Sequence, residues 1–154
     1  MPIAALLCLV VAVSDGDTLT ARCGSSYAPF QIKVRIAAID APETRQAYGP
    51  QSRKNLTQLC LRQRARIQVL EKDRYGRSVA NVRCGSGTGT GADVATEQVR
   101  AGLAWVYTPY ARQHPHLPPL QRQAKASSTG LWSQSRPLAP WSYRQRYGTS
   151  YQQR

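Results

Sequence analysis

Hydrophobic and polar positions along the chain follow two periods, and the switches between them predict its elements. Leu6 to Ser14 is rich in Leu and Val and predicts a strand. Asp15-Gly16-Asp17 predicts a turn, because Gly tolerates positive φ and Asp can bond its own backbone. Thr18 to Cys23 is then the returning strand. From Gln31 to Ile39, Ile32, Val34 and Ile36 point one way and Lys33 and Arg35 the other, which predicts a third strand. Gly49 to Arg62 predicts a helix, with Pro50 in its first turn and Leu56, Leu59 and Cys60 on one face. Ala65 to Leu70 and Ser78 to Cys84 predict two more strands, joined by the polar turn Asp73 to Arg77. Gly85 to Gly91 alternates Gly with Ser and Thr. No Gly-Lys-Ser/Thr follows, so it predicts a flexible connection rather than a phosphate loop. Val94 to Ala104 and Leu117 to Ser128 predict two further helices, and His114-Pro115-His116 between them predicts a solvated loop.

Five short strands with three helices predict an α+β domain. Strands in this order suit a five-stranded β-barrel of the oligonucleotide-binding (OB) fold. The 154 residues suit one such domain, placed at residues 1–136. Residues 137–154, rich in Arg, Tyr and Gln, predict a flexible basic tail. Met1 to Val13 is apolar but too short to span a membrane as a helix, and it lacks the basic start of a signal peptide. The expectation is a first strand, with any leader already removed upstream, and no membrane contact.

Charge changes the picture. There are 21 Lys and Arg against 8 Asp and Glu, a net charge of +13, which points to a polyanionic partner. The acids are unevenly spread: Asp15, Asp17, Asp40 and Glu43 are the only ones before residue 71, and none follows residue 97. Like charges gathered in a basic chain need a cation to neutralise them. Four cysteines, Cys8, Cys23, Cys60 and Cys84, have no Cys-x-x-Cys spacing, so zinc is not expected. Their even number suggests two disulfides, by any of three pairings, and an oxidising compartment. The predicted hairpin brings Cys8 near Cys23, which leaves Cys60 for Cys84.

Phosphodiester hydrolysis needs fixed cations for a phosphate whose charge grows toward the transition state, and a group that orients or deprotonates water. Oxygen-ligated divalent ions and guanidinium forks supply the first, and a carboxylate supplies the second. Each candidate alone has a plainer explanation. Asp15 to Thr18 could be a self-bonded hairpin loop, and Arg77 could pair with Asp73 on the surface. In series they are more specific. Val13-Ser14-Asp15-Gly16-Asp17-Thr18, Val34-Arg35-Ile36, Ile39-Asp40-Ala41-Pro42-Glu43, Asp73-Arg74-Tyr75-Gly76-Arg77, Gly102-Leu103-Ala104 to Tyr107, and Gly130-Leu131-Trp132 resemble the staphylococcal nuclease (thermonuclease) family in order and spacing over roughly residues 8 to 132.

That resemblance implies a calcium-dependent hydrolase that cleaves DNA and RNA with little sequence preference and leaves 3′-phosphate ends. It implies Asp17, Asp40 and the carbonyl of Ala41 as Ca²⁺ ligands, Asp15 as their support, and Glu43 as the candidate general base. It implies Arg35 and Arg77 as the phosphate-gripping cations and Tyr75 and Tyr107 as pocket residues. Trp105 stands where a pocket Tyr is expected and keeps a stacking face. Ala41 replaces a Thr of the best-known member, and the loop Thr44 to Tyr48 is shorter and carries no Lys. The implied protein is a secreted or periplasmic monomer with nucleic acid as substrate. The competing reading is a non-catalytic OB-fold nucleic-acid-binding module. Such a module has no use for acids that weaken phosphate affinity.

Overall fold

A computed structural model describes residues 4–85 and 91–148. Five long strands carry the fold: β1 (Leu6–Asp15), β2 (Thr18–Gly24), β3 (Pro29–Ile36), β5 (Arg64–Lys72) and β6 (Ser78–Cys84). The short strands β4 (Ile39–Asp40), β7 (Ala92–Asp93) and β8 (Trp105–Val106) extend it. Neighbours run in the order β3-β2-β1-β5-β6, and a parallel pairing of β3 with β6 (Val34 with Ser78, Ile36 with Ala80) closes the sheet on itself. The result is the expected α+β OB-type barrel, closed through the last three residues of β3.

Alternation along each strand fills the interior. Val10, Leu19, Ala21, Val34, Ile36, Ile67, Ala80 and Val82 are buried inside, and full burial of each larger side chain stabilises by about 1.5–3 kcal/mol. Helix α1 (Gly49–Cys60) packs on the barrel through buried Leu56 and Cys60, with Leu59 partly buried beside them. That is the face expected from the sequence. Helices α2 (Val94–Arg100) and α3 (Leu117–Ala126) pack on one another and complete the layer outside the barrel. Both disulfides form as paired above, Cys8–Cys23 and Cys60–Cys84.

Three expectations change. The third strand stops at Ile36 because Ala38 takes a left-handed φ of 71°, which turns the chain before Ile39 and Asp40 pair with Val106 and Trp105 of β8. His114 is buried, with its Nε2 2.6 Å from Asn81 Oδ1, because the loop folds back against β6; only His116 is exposed. The segment expected to be a flexible tail contains a fourth helix, α4 (Pro140–Tyr147), started by Pro140 in its first turn. Most of the glycine-rich connection, residues 86–90, lies outside the described residues. Among the described residues no helix is long and apolar enough to cross a membrane.

Candidate active site

The turn between β1 and β2 opens at one end of the barrel, and its contacts fix both its backbone and the carboxylates of Asp15 and Asp17. Asp17 N–H donates to Asp15 Oδ1 at 3.0 Å, the self-bonded turn expected of this sequence. Ile36 N–H donates to Asp17 O at 2.8 Å, which ties the turn to the end of β3. Asp17 Oδ2 accepts from Ala41 N–H at 2.7 Å and Oδ1 from Thr18 Oγ1 at 3.0 Å. Gly16 is required by close approach, since a Cβ there would sit on Ser52 Oγ of α1. Gln98 of α2, wholly buried, donates to Gly16 O at 2.7 Å and to Ser52 O at 3.0 Å, and so locks turn to helix.

Asp40 follows on β4, fully buried. The loop after it returns to α1 with Glu43 N–H donating to Gln46 Oε1 at 3.1 Å. Gly49 lets this loop lie against the helix start, because a Cβ would strike Glu43 O. Arg35 reaches across: one terminal nitrogen lies 3.5 Å from both Asp17 Oδ2 and Asp40 Oδ1, and the other donates to Ile36 O at 2.8 Å. Arg77 enters from the β5–β6 turn, its Nε 2.7 Å from Asp73 Oδ2 and its guanidinium 5.4 Å from the centre of the Tyr75 ring. The surface pair foreseen for Arg77 therefore forms, and it aims the arginine.

Asp15, Asp17, Arg35, Asp40, Glu43, Tyr75, Arg77 and Tyr107 all line one open cleft of about 670 Å³. Ala41 is buried beside Asp17. Trp105 does not line the cleft; its ring packs 4.5 Å from Trp132 and 5.4 Å from Trp141, centre to centre. Three further contributors lie outside the residues singled out from the sequence. Ser52 and Gln98 hold the acid turn from behind. A Gln one helical turn from Val94 on an otherwise apolar face is the signal that the sequence offers for them. Arg144 of α4 is the third, and it lies on Asp40 and Glu43.

Electrostatics divide the acids. Burial pushes Asp15 well above the usual carboxylate range, and the neighbouring charge of Asp17 adds to this. Burial opposes ionisation of Asp17 too, but Arg35 and the hydrogen bonds from Asp15, Ala41 and Thr18 outweigh it, so Asp17 lies below that range. Burial raises Asp40 and Glu43 despite the guanidinium of Arg144. Arg144 is held above its ordinary value: burial works against its charge, and its hydrogen bonds to Asp40 and Glu43 more than offset that.

Among the described residues no group of three His, Cys, Asp or Glu side chains is arranged to hold a metal ion. The donor set that does converge is two buried carboxylates, Asp17 and Asp40, with the backbone of Ala41 alongside. Hard oxygen donors with little other protein ligation suit a cation that completes its shell with carbonyl and water. The chemistry of the pair fits a hard divalent cation, and its charge is balanced here by arginines.

The sequence model of the family described as "Staphylococcal nuclease homologue" matches residues 33–134. A Haemophilus influenzae protein named "Uncharacterized endonuclease" is 38% identical over 137 residues, covering 89% of this chain and 72% of the relative. An Escherichia coli O157:H7 protein of the same name is 36% identical over 137 residues, 89% and 84% of the two chains. A Shigella flexneri "Micrococcal nuclease" is 32% identical over 140 residues, 88% and 78% of the two. With the family model spanning more than half its length and relatives above 30% identity along most of both chains, the chain belongs to the staphylococcal nuclease homologue family.

Proposed function

We propose that the protein is a calcium-dependent nuclease that hydrolyses phosphodiester bonds of DNA and RNA with low sequence specificity and leaves 3′-phosphate ends. One observation carries this reading: Asp17, Asp40 and Glu43 share a single cleft with Arg35 and Arg77. A cleft that only bound nucleic acid would be weakened by those acids.

Asp17, Asp40 and the Ala41 carbonyl would hold the ion, and Asp15 would steady Asp17 through the turn. Calcium, when bound, supplies fixed positive charge beside the phosphate. Arg35 and Arg77 grip non-bridging phosphate oxygens, where their planar forks match the developing charge. Glu43 faces the attacking water and takes its proton; a carboxylate raised by burial is a better base than one in water. The new bond joins the water oxygen to phosphorus, and the P–O5′ bond breaks. The products are a 3′-phosphate and a 5′-hydroxyl that takes up a proton. Tyr75, nearly half exposed, and Tyr107 offer faces and hydroxyls to the nucleotide. Two disulfides support action outside the reducing cytoplasm, in a secreted or periplasmic protein, and the +13 charge supports a polyanionic substrate; the protein would act as a monomer.

The test is digestion of single-stranded DNA, duplex DNA and RNA with calcium, magnesium or chelator, followed by end-group analysis. Cleavage of all three with calcium, abolished by chelator and leaving 3′-phosphates, is the expected result. Binding without cleavage under every condition would sink the enzyme reading.

A further inference from the structure

Arg144 is tightly held in the cleft. Its guanidinium forks onto Asp40, Nη2 to Oδ2 at 2.7 Å and Nη1 to Oδ1 at 3.1 Å, and Nη1 also reaches Glu43 Oε1 at 3.0 Å. Arg35, by contrast, stands 3.5 Å from its carboxylates. The fork engages both oxygens of Asp40, a carboxylate read above as a metal ligand. A divalent cation at Asp40 would share those oxygens with a guanidinium. Two cations on one buried carboxylate repel strongly, because little water screens them.

The element that carries Arg144 is built to dock there. Gln46, in the Glu43 loop, donates to Leu138 O at 2.6 Å just ahead of α4. Trp141, one turn before Arg144, packs edge-on against Trp105, whose backbone pairs with Asp40. Both Trp141 and Arg144 line the cleft. The helix is also short, eight residues with three of them exposed at its end, so its release would uncover little core.

We propose that Arg144 is the resident counter-ion of the candidate metal site: it holds Asp40 and Glu43 together and gives up Asp40 when a divalent cation binds, so that α4 sets the affinity for metal. This rests on the calcium-dependent reading above and adds a positioning residue to it. Arg144 and the ion are alternative ligands of one carboxylate, so each weakens the other.

Calcium titrated calorimetrically into the wild-type protein and into Arg144→Gln tests it directly. The substitution keeps a hydrogen-bond donor and removes the charge. The variant should bind calcium about tenfold more tightly, within the usual range for coupling between two ligands. Equal or weaker binding by the variant would overturn the proposal and leave Arg144 a purely structural clamp. If neither protein binds calcium, the metal reading itself falls, and the proposal with it. Should the variant fail to fold, the wild-type chain still decides the matter. Calcium should speed trypsin cleavage after Arg144, because its side chain leaves Asp40 for solvent. Slower or unchanged cleavage would overturn the proposal.

Discussion

The two ends of the barrel handle charge in opposite ways. At the cleft end, Asp17 and Asp40 are buried, and each carboxylate is met by a hydrogen bond or a guanidinium. At the other end, the outward positions of β2, β5 and β6 carry Arg22, Arg64, Arg66 and Arg83, all exposed, with Arg66 directly across from Arg83. Beneath those arginines lie both disulfides, Cys8–Cys23 and Cys60–Cys84. Exposed like charges are screened by water and salt and cost little. Buried ones must be paired or must bind a cation. On the proposed function, stability belongs to the bridged end and chemistry to the acid end.

The sharpest way to break it is at the bridges. Removing either by a Cys→Ser pair should lower unfolding free energy by about 2–4 kcal/mol in a denaturant titration, while cleavage per folded molecule stays the same. An equal loss of activity would show that the two ends are not separable. The acid end should give the reverse pattern. Glu43→Gln, Arg35→Ala and Arg77→Ala should each slow cleavage by about 10²-fold or more, roughly 2.7 kcal/mol of barrier, and Glu43→Gln should shift the midpoint far less than loss of a bridge. Near-normal rates in all three would refute the site.

Gln98→Leu probes the link between the ends. It removes the side-chain donor to the carbonyls of Gly16 and Ser52, at about 1–3 kcal/mol of stability. Unlike loss of a bridge, it should also weaken calcium binding by loosening the turn that holds Asp17. Calorimetry on the variant reads both effects.

The smallest expected effect is in acid. The hydrogen bonds of Asp73 to Arg77 and Tyr75, with the charge of Arg77, outweigh burial and hold its carboxyl below the usual range. Its contribution to stability is therefore complete above the ordinary Asp value. It is lost as pH falls through the lower folded value, at most about 1 kcal/mol for a pair this near the surface. Asp73→Asn should flatten that part of a stability profile below about pH 4. A profile identical to that of the wild type would remove Asp73 as the group responsible.

Much of the site was legible in the chain because its parts are local. Asp15-Gly16-Asp17 is a turn by composition, and Ile39 to Glu43 is a strand end followed by Pro. Asp73 and Arg77 bond within one turn of chain. Arg144 was not legible. It meets Asp40 across 104 residues, and an Arg in an acid-free, Tyr-rich segment resembles any solvated basic residue. Trp105 misled for a related reason: its position in the chain suited the pocket, but Trp132 and Trp141 draw its ring away.

The sequence by itself determined the five long strands, the pairing of the cysteines, the clustered acids with their two candidate arginines, and the family they resemble. Those follow from period-two alternation, turn chemistry and short spacings, all of which act between near neighbours. Only the tertiary structure decided that a buried Gln anchors the acid turn, that His114 is inside, and that a C-terminal helix lays Arg144 on Asp40 and Glu43. Buried charge is the physical reason for the last of these. Four carboxylates gathered at one cleft require counter-charge, and a folded chain can bring it from any point along its length.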